Sequence, residues 1–332
     1  MNYADKKILV TGADGFIGSH LTESLVRKGY TVRAFVMYNS FGHWGWLEQL
    51  PPEIKEAVEI MAGDIRDRAF VRQAVSGVHY LFHLASLIAI PYSYMAEESF
   101  VDTNVKGTLN LLQAARETGV EKFFHTSTSE IYGTARQVPM DENHPATGQS
   151  PYAATKIAAD AMAEAFRRSY NLPLTILRPF NTYGPRQSAR AVIPTIITQI
   201  AAGADEIRLG ALTPRRDFTF VEDMVRAFAM ASEKDNLNGE VINIGTGEDI
   251  AVGEITEKIS GLMQKPVKII EDPERVRPEN SEVQRLVCDR TKAERLLGWR
   301  PETSLDDGLK KTITWFSDEK NLAGYKTNRY NI

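Results

Sequence analysis

The chain has 332 residues with 39 Lys+Arg against 43 Asp+Glu, and its formal charge of −4 argues against a nucleic-acid binder, which would carry a basic excess. Hydrophobic residues make up 43% and charged residues 25%, so the chain buries a sizeable core in one large or two smaller domains and is not a disordered segment. Its single cysteine, Cys288, excludes an internal disulfide and a cysteine-cluster metal site, fits a reducing compartment, and reads as a small buried hydrophobe. From Lys7 to Ser127, short apolar runs alternate with stretches of helical period, which predicts a parallel sheet covered by helices. Strands are expected at Ile8–Thr11, Val32–Val36, Val58–Met61, Tyr80–Leu84 and Phe123–Ser127, with helices at Ile17–Lys28, Arg68–Val75 and Glu98–Thr118, the last closed by Gly119. A helix at Tyr152–Tyr170 and a strand at Leu174–Leu177 follow. Beyond Pro179, prolines and glycines break the pattern, so a smaller mixed lobe is expected, with helices near Val221–Ser232, Val252–Met263, Thr291–Leu297 and Leu305–Phe316. The fold class is therefore α/β, a Rossmann-type doubly wound parallel sheet over residues 1–178 and a smaller mixed lobe over 179–332.

The first strand runs directly into Gly12-Ala13-Asp14-Gly15-Phe16-Ile17-Gly18 and a helix. Glycines at a strand-to-helix turn let backbone N–H groups approach a pyrophosphate at the positive helix N-terminus. The spacing, GxxGxxG, resembles the extended branch of the short-chain dehydrogenase/reductase superfamily, and the resemblance implies a bound nicotinamide dinucleotide. It further implies that Asp64 and Ile65 bracket the adenine and that Leu84, Ala85 and Ser86 run beneath the cofactor. The second strand ends Val36-Met37-Tyr38, with neither the acid that binds the ribose of NAD nor an arginine for the phosphate of NADP. The expected cofactor is NAD, with NADP not excluded.

Tyr152 and Lys156 stand one helical turn apart on the same face, near a helix start marked by Pro151. A phenol serves as a base near neutrality when nearby positive charge favours the phenolate, and Lys156 supplies that charge. Upstream, the strand ending at Ser127 leads into Thr128-Ser129-Glu130-Ile131-Tyr132-Gly133, which places hydroxyls and one carboxylate at the ligand-binding edge of a parallel sheet. The run Ser127–Gly133 resembles the STSExYG signature of nucleotide-sugar 4,6-dehydratases, especially the GDP-mannose 4,6-dehydratase group, whereas epimerases of the superfamily usually lack this glutamate. Dehydratases acting on dTDP-glucose have Asp where this chain has Ser129, so the proton donor to the departing hydroxyl stays open.

Arg178–Arg186 resembles the RxxNxYGPR segment of the extended branch, Arg216-Asp217-Phe218 with Val221 and Asp223 its RDFxxVxD motif, and Arg277-Pro278 its late arginine. The resemblance assigns Asn181, Arg186, Arg216 and Arg277 to a nucleoside diphosphate, whose oxygens match arginine forks. Tyr92, Tyr94, Trp44 and Trp46 are candidates for the sugar or base pocket or for packing, and the six histidines show no metal spacing. Small residues at helical spacing, Ala154, Ala158, Ala161 and Ala165, allow close helix packing; the family commonly pairs such helices in a homodimer.

Together these features read as an NAD(P)-dependent nucleotide-sugar 4,6-dehydratase. The segment Tyr38–Phe41 followed by Trp44–Glu48 resembles the N-acetylglucosamine nucleotide dehydratases of legionaminic acid synthesis, so the substrate expected is GDP- or UDP-N-acetylglucosamine. UDP-glucuronate decarboxylase, a 4-epimerase and a cofactor-sensing binding protein are the rival readings. The polar start Met1–Lys7 and the lack of a window of ~18 apolar residues imply a cytoplasmic protein without membrane or nucleic-acid partners.

Overall fold

The computed structural model describes residues 5–327 and 329–331, so the polar start lies partly outside the described residues. Its first lobe runs β1 (Lys7–Thr11), α1 (Phe16–Arg27), β2 (Thr31–Met37), α2 (Pro52–Glu56), β3 (Val58–Gly63), α3 (Arg68–Val75), β4 (Tyr80–His83), α4 (Ile90–Ser93), α5 (Glu97–Phe100), α6 (Gly107–Thr118), β5 (Lys122–Thr126), α7 (Pro151–Tyr170) and β6 (Leu174–Pro179). The second continues with β7 (Asn181–Tyr183), α8 (Val192–Ala201), β8 (Glu206–Leu209), β9 (Arg215–Arg216), β10 (Phe218–Phe220), α9 (Val221–Ser232), β11 (Val241–Ile244), β12 (Ile250–Ala251), α10 (Val252–Leu262), β13 (Lys268–Glu271), α11 (Thr291–Leu297), α12 (Leu305–Ser317) and α13 (Glu319–Leu322).

Seven parallel strands form one sheet in the order β11-β6-β5-β4-β1-β2-β3. Within β1, Ile8 and Val10 enter one apolar layer and Leu9 the other, the period-2 alternation of a strand buried on both faces. The order reverses between β1 and β4, and ligands of doubly wound sheets bind at such a switch point, outside the carboxyl ends of the strands.

One segment crosses the expected boundary after Arg178. β11 returns from the second lobe to pair with β6, Val241 opposite Ile176, while the rest of that lobe holds two-stranded pairs. The expected uninterrupted helix over 98–118 is interrupted by a wider π turn at Val101–Lys106, before α6 closes on Gly119 at φ 73°. Two carboxylates of the RDFxxVxD segment have scaffold contacts. Asp217 accepts the backbone N–H groups of Thr246, Gly247 and Cys288, and Asp223 those of Glu302 and Thr303. Cys288 is buried, as expected.

Candidate active site

A cavity of about 960 Å³ opens at the carboxyl edge of the sheet, between the glycine turn, the loops after β4 and β5, and the second lobe. Gly12 adopts φ +69°, and a Cβ there would lie 2.8 Å from the Ala85 backbone nitrogen; a Cβ on Gly18 would overlap the Gly12 carbonyl oxygen. Gly15 caps α1 without a side-chain hydrogen bond, and no acidic residue stands in the first turn of that helix. The N–H groups of that turn, with Phe16 and Ile17 beside them on the cavity wall, are thus available to an anion.

The Thr11 hydroxyl accepts the N–H groups of Leu84 and Ala85, both at 3.1 Å, and bonds His83 Nδ1 at 2.9 Å. From the π turn, Asn104 accepts Leu87 N–H at 2.8 Å and donates to the Leu87 carbonyl at 2.9 Å and to Thr155 Oγ1 at 3.1 Å. The segment Leu84-Ala85-Ser86 is therefore tied at both ends beneath the cavity. Asp64 receives Arg66 Nε at 2.9 Å, and the buried Ile65 has its carbonyl held by Asn110 at 3.0 Å. This backbone-lined cradle, whose turn has no room for a side chain at Gly12 or Gly18, fits a dinucleotide.

Thr128, Ser129, Glu130, Tyr152 and Lys156 all reach the same cavity. Ser150 caps α7 by accepting the Ala153 N–H at 3.1 Å, which fixes the start of the helix carrying Tyr152 and Lys156. Lys156 Nζ donates to the Thr126 carbonyl at 2.7 Å, so the β5 end sets its position. Burial lowers the Lys156 ammonium to about 8, against the opposing pull of Asp160. The Tyr152 phenol is pushed up, by burial first and by the Glu130 and Asp160 carboxylates, while a hydrogen bond from the Thr128 side chain works the other way. Glu130 is 8% exposed in a short turn over Ser129–Tyr132, where its N–H donates to Thr128 Oγ1 at 3.3 Å.

Sequence reasoning missed what stands behind Lys156. The buried Asp160 accepts His125 Nε2 at 3.1 Å, the Ser127 hydroxyl at 2.6 Å and Arg178 Nη2 at 2.9 Å. A signal existed: Tyr152, Lys156 and Asp160 recur at four-residue intervals, the spacing of one helix face.

Asn181, Arg186, Arg216 and Arg277 line the cavity too. Arg216 and Arg277 share the Glu282 carboxylate at 3.0 and 3.5 Å, and Arg186 pairs with Glu23 on α1 at 3.0 Å. Glu282, unmarked by any motif, thus neutralises part of the charge that three arginines bring. Glu130 acts electrostatically on both Arg216 and Arg277. Asn181 Oδ1 is buried without a hydrogen-bond partner among the described residues. Of the aromatic candidates, Tyr92 and Trp46 line the cavity, whereas Tyr94 donates to or accepts from Ser281 at 2.6 Å and Trp44 lies outside with 43% exposure. Tyr330, which no motif indicated, also lines it, with the Arg275 guanidinium 4.8 Å from its ring centre.

The family model described as GDP-mannose 4,6 dehydratase matches residues 9–312. The chain belongs to that family. It is 32% identical to mouse dTDP-D-glucose 4,6-dehydratase over 97% of this chain and 91% of the relative. Similarity to a UDP-N-acetyl-alpha-D-glucosaminuronate decarboxylase of Bacillus cytotoxicus is equal, 32% over 95% of this chain and 99% of that one. Among solved structures, UDP-glucuronic acid 4-epimerase of Bacillus cereus, in complex with UDP-glucuronic acid and NAD, superposes with a TM-score of 0.85. That pair shares 29% identity and covers 93% of this chain and 98% of the epimerase. The solved neighbour holds NAD together with a nucleotide sugar, and this chain is an enzyme of this NAD-dependent nucleotide-sugar dehydratase/epimerase family. No helix among the described residues is long and apolar enough to cross a membrane.

Proposed function

We propose that the chain is a nucleotide-sugar 4,6-dehydratase converting GDP- or UDP-N-acetylglucosamine to the 4-keto-6-deoxy sugar. The observation that carries this reading is Glu130, a largely buried carboxylate lining the same cavity as Tyr152 and Lys156. An exchange of configuration at C4 needs no base at C5, whereas elimination across C5 and C6 does. Gly12, Gly15 and Gly18 would hold NAD, which when bound would supply reversible hydride chemistry beside Tyr152 and Lys156.

Tyr152 takes the proton of the C4 hydroxyl, with Thr128 hydrogen-bonding that oxygen. Since burial and the neighbouring carboxylates push its phenol up, its action as a base relies on the positive charge of Lys156 and of the oxidised nicotinamide that would be bound beside it. The C4 ketone acidifies C5, Glu130 removes the C5 proton, the C6 hydroxyl departs as water with a proton from Ser129 or from Glu130 itself, and once C6 is reduced a proton from Glu130 or solvent returns to C5. Gly12, Gly15 and Gly18, with Phe16 and Ile17, would hold the pyrophosphate; Asp64 and Ile65 would flank the adenine, and Leu84, Ala85 and Ser86 would pass beneath the cofactor. Asn181, Arg186, Arg216 and Arg277 engage the nucleoside diphosphate of the substrate. The division of labour follows the lobes, residues 1–178 binding the dinucleotide and 179–332 the nucleotide sugar. Two copies pair through α6 and α7, where Ala154, Ala158, Ala161 and Ala165 form an exposed stripe.

Mass spectrometry of products from a panel of nucleotide sugars tests the reading. Loss of one water from an N-acetylglucosamine nucleotide is the expected result. Carbon dioxide release from a uronic acid nucleotide identifies a decarboxylase, and products of unchanged mass an epimerase; either outcome overturns the proposal.

A further inference from the structure

The strand that ordinarily supplies the ribose-reading acid does not do so here: β2 ends in Val36 and Met37. A carboxylate nevertheless stands at that strand end, delivered from the glycine turn. Asp14 Oδ2 accepts the Met37 backbone N–H at 3.2 Å, and the Asp14 carbonyl accepts the Trp46 N–H at 3.1 Å. Both contacts pin the turn to the segment that follows β2. Gly45, at φ +59°, permits the close approach, because a Cβ there would overlap the Asp14 carbonyl oxygen. Asp14 lines the cavity together with Gly12, Gly15, Met37, Asp64 and Arg66.

The charge around this strand end is acidic. Met37 pairs with Gly63 across the β2–β3 ladder, so Asp64 follows on the adjacent strand, about 4.8 Å away in strand spacing. The cation beside them, Arg66, already gives Nε and Nη2 to Asp64. We infer that the Asp14 carboxylate receives the hydroxyls of the adenosine ribose and sets the preference of this chain for NAD over NADP. A carboxylate suits a diol, which donates two hydrogen bonds to it; a 2′-phosphate brings roughly two negative charges and meets Asp14 and Asp64, beside an Arg66 guanidinium already engaged by Asp64. In this chain the glycine turn, through Asp14, thus presents the carboxylate that β2 does not.

The inference rests on the assignment of NAD as cofactor and is independent of the sugar chemistry. The test is calorimetric titration of the full chain, freed of bound nucleotide, with NAD and with NADP. Wild-type protein is expected to bind NAD the more tightly. Asp14→Asn, which keeps an acceptor for Met37 N–H but removes the charge, should narrow the ratio of the two dissociation constants by at least about 10-fold, chiefly through tighter NADP binding. If Asp14→Asn lowers the melting temperature of the free protein, Asp14→Ser is titrated in its place with the same expectation. A ratio unchanged within two-fold in the variant that melts as wild type overturns the role of Asp14 even if the wild-type enzyme dehydrates its substrate. Failure of the wild type to bind either dinucleotide overturns the cofactor assignment along with it.

Discussion

Lys156 carries its charge in a place that disfavours charge, and that has a stability consequence. With its ammonium lowered from 10.5 to about 8 by burial, the folded state sacrifices roughly 3 kcal/mol while the group stays charged. Below about pH 8 the penalty is full. Between pH 8 and 10.5 the unfolded chain retains a proton that the folded chain has released, so the penalty fades as pH rises. Lys156→Met should therefore be more stable than wild type in urea denaturation at pH 7, lose that advantage toward pH 10, and be inactive. A variant less stable than wild type at pH 7 would mean that the bond to the Thr126 carbonyl outweighs desolvation. Arg216 poses a different question. If it grips the diphosphate, Arg216→Ala raises KM far more than it lowers kcat in steady-state kinetics, since that contact is equal in ground and transition states. A large fall in kcat at unchanged KM would place it at the reacting sugar, next to Glu130. Tyr152 and Lys156 are legible in the sequence because four-residue spacing on a helix fixes their common face. Glu282 is not legible, because it lies 66 positions after Arg216 and meets it only when the chain folds back, and no local pattern announces that pairing.

The turn between β1 and α1 shows how an element constrains a site. A side chain at position 18 would drive into the Gly12 carbonyl, so Gly18→Ala must displace the turn that positions Gly12 against Ala85. A destabilisation of about 1–3 kcal/mol and a marked loss of NAD affinity are expected, measured by urea denaturation and by cofactor titration. Unchanged NAD affinity would show that the turn is not the cradle. The long, strongly periodic elements were readable in the sequence: β1, α1, α3, α7 and β6 lie where apolar spacing, Ser150-Pro151 and the glycines put them. Among the strands that escaped, β7, β9, β10 and β12 are two or three residues long and β8, β11 and β13 only four, so their existence depends on tertiary partners rather than on local preference. α8 also escaped, since its run Val192–Ala201 is apolar nearly all round and begins with an early proline. The π turn at Val101–Lys106 widens a helix that the periodicity presents as uniform, and it is this turn that brings Asn104 to both Leu87 and Thr155.

Across the whole molecule, the cavity joins two lobes whose separation in sequence is not matched by separation in space, because β11 closes the edge of the first lobe's sheet. In the proposed pairing, the exposed alanine stripe on α7 is the face that meets a second copy. Placing a long charged side chain there, as in Ala158→Arg, should convert a dimer to a monomer in sedimentation velocity without lowering the melting temperature of the subunit by more than a few degrees. A wild-type monomer would contradict the pairing. The central claim, that Tyr152 begins the reaction and Glu130 continues it by elimination, is tested most directly by stopped-flow absorbance of the reduced nicotinamide with the nucleotide sugar that the product panel identifies. Glu130→Gln should accumulate reduced cofactor and form product about 10²–10⁴-fold more slowly, with no deuterium entering C5 from heavy water, whereas Tyr152→Phe should form almost no reduced cofactor. Exchange at C5 at the wild-type rate in Glu130→Gln would contradict the account.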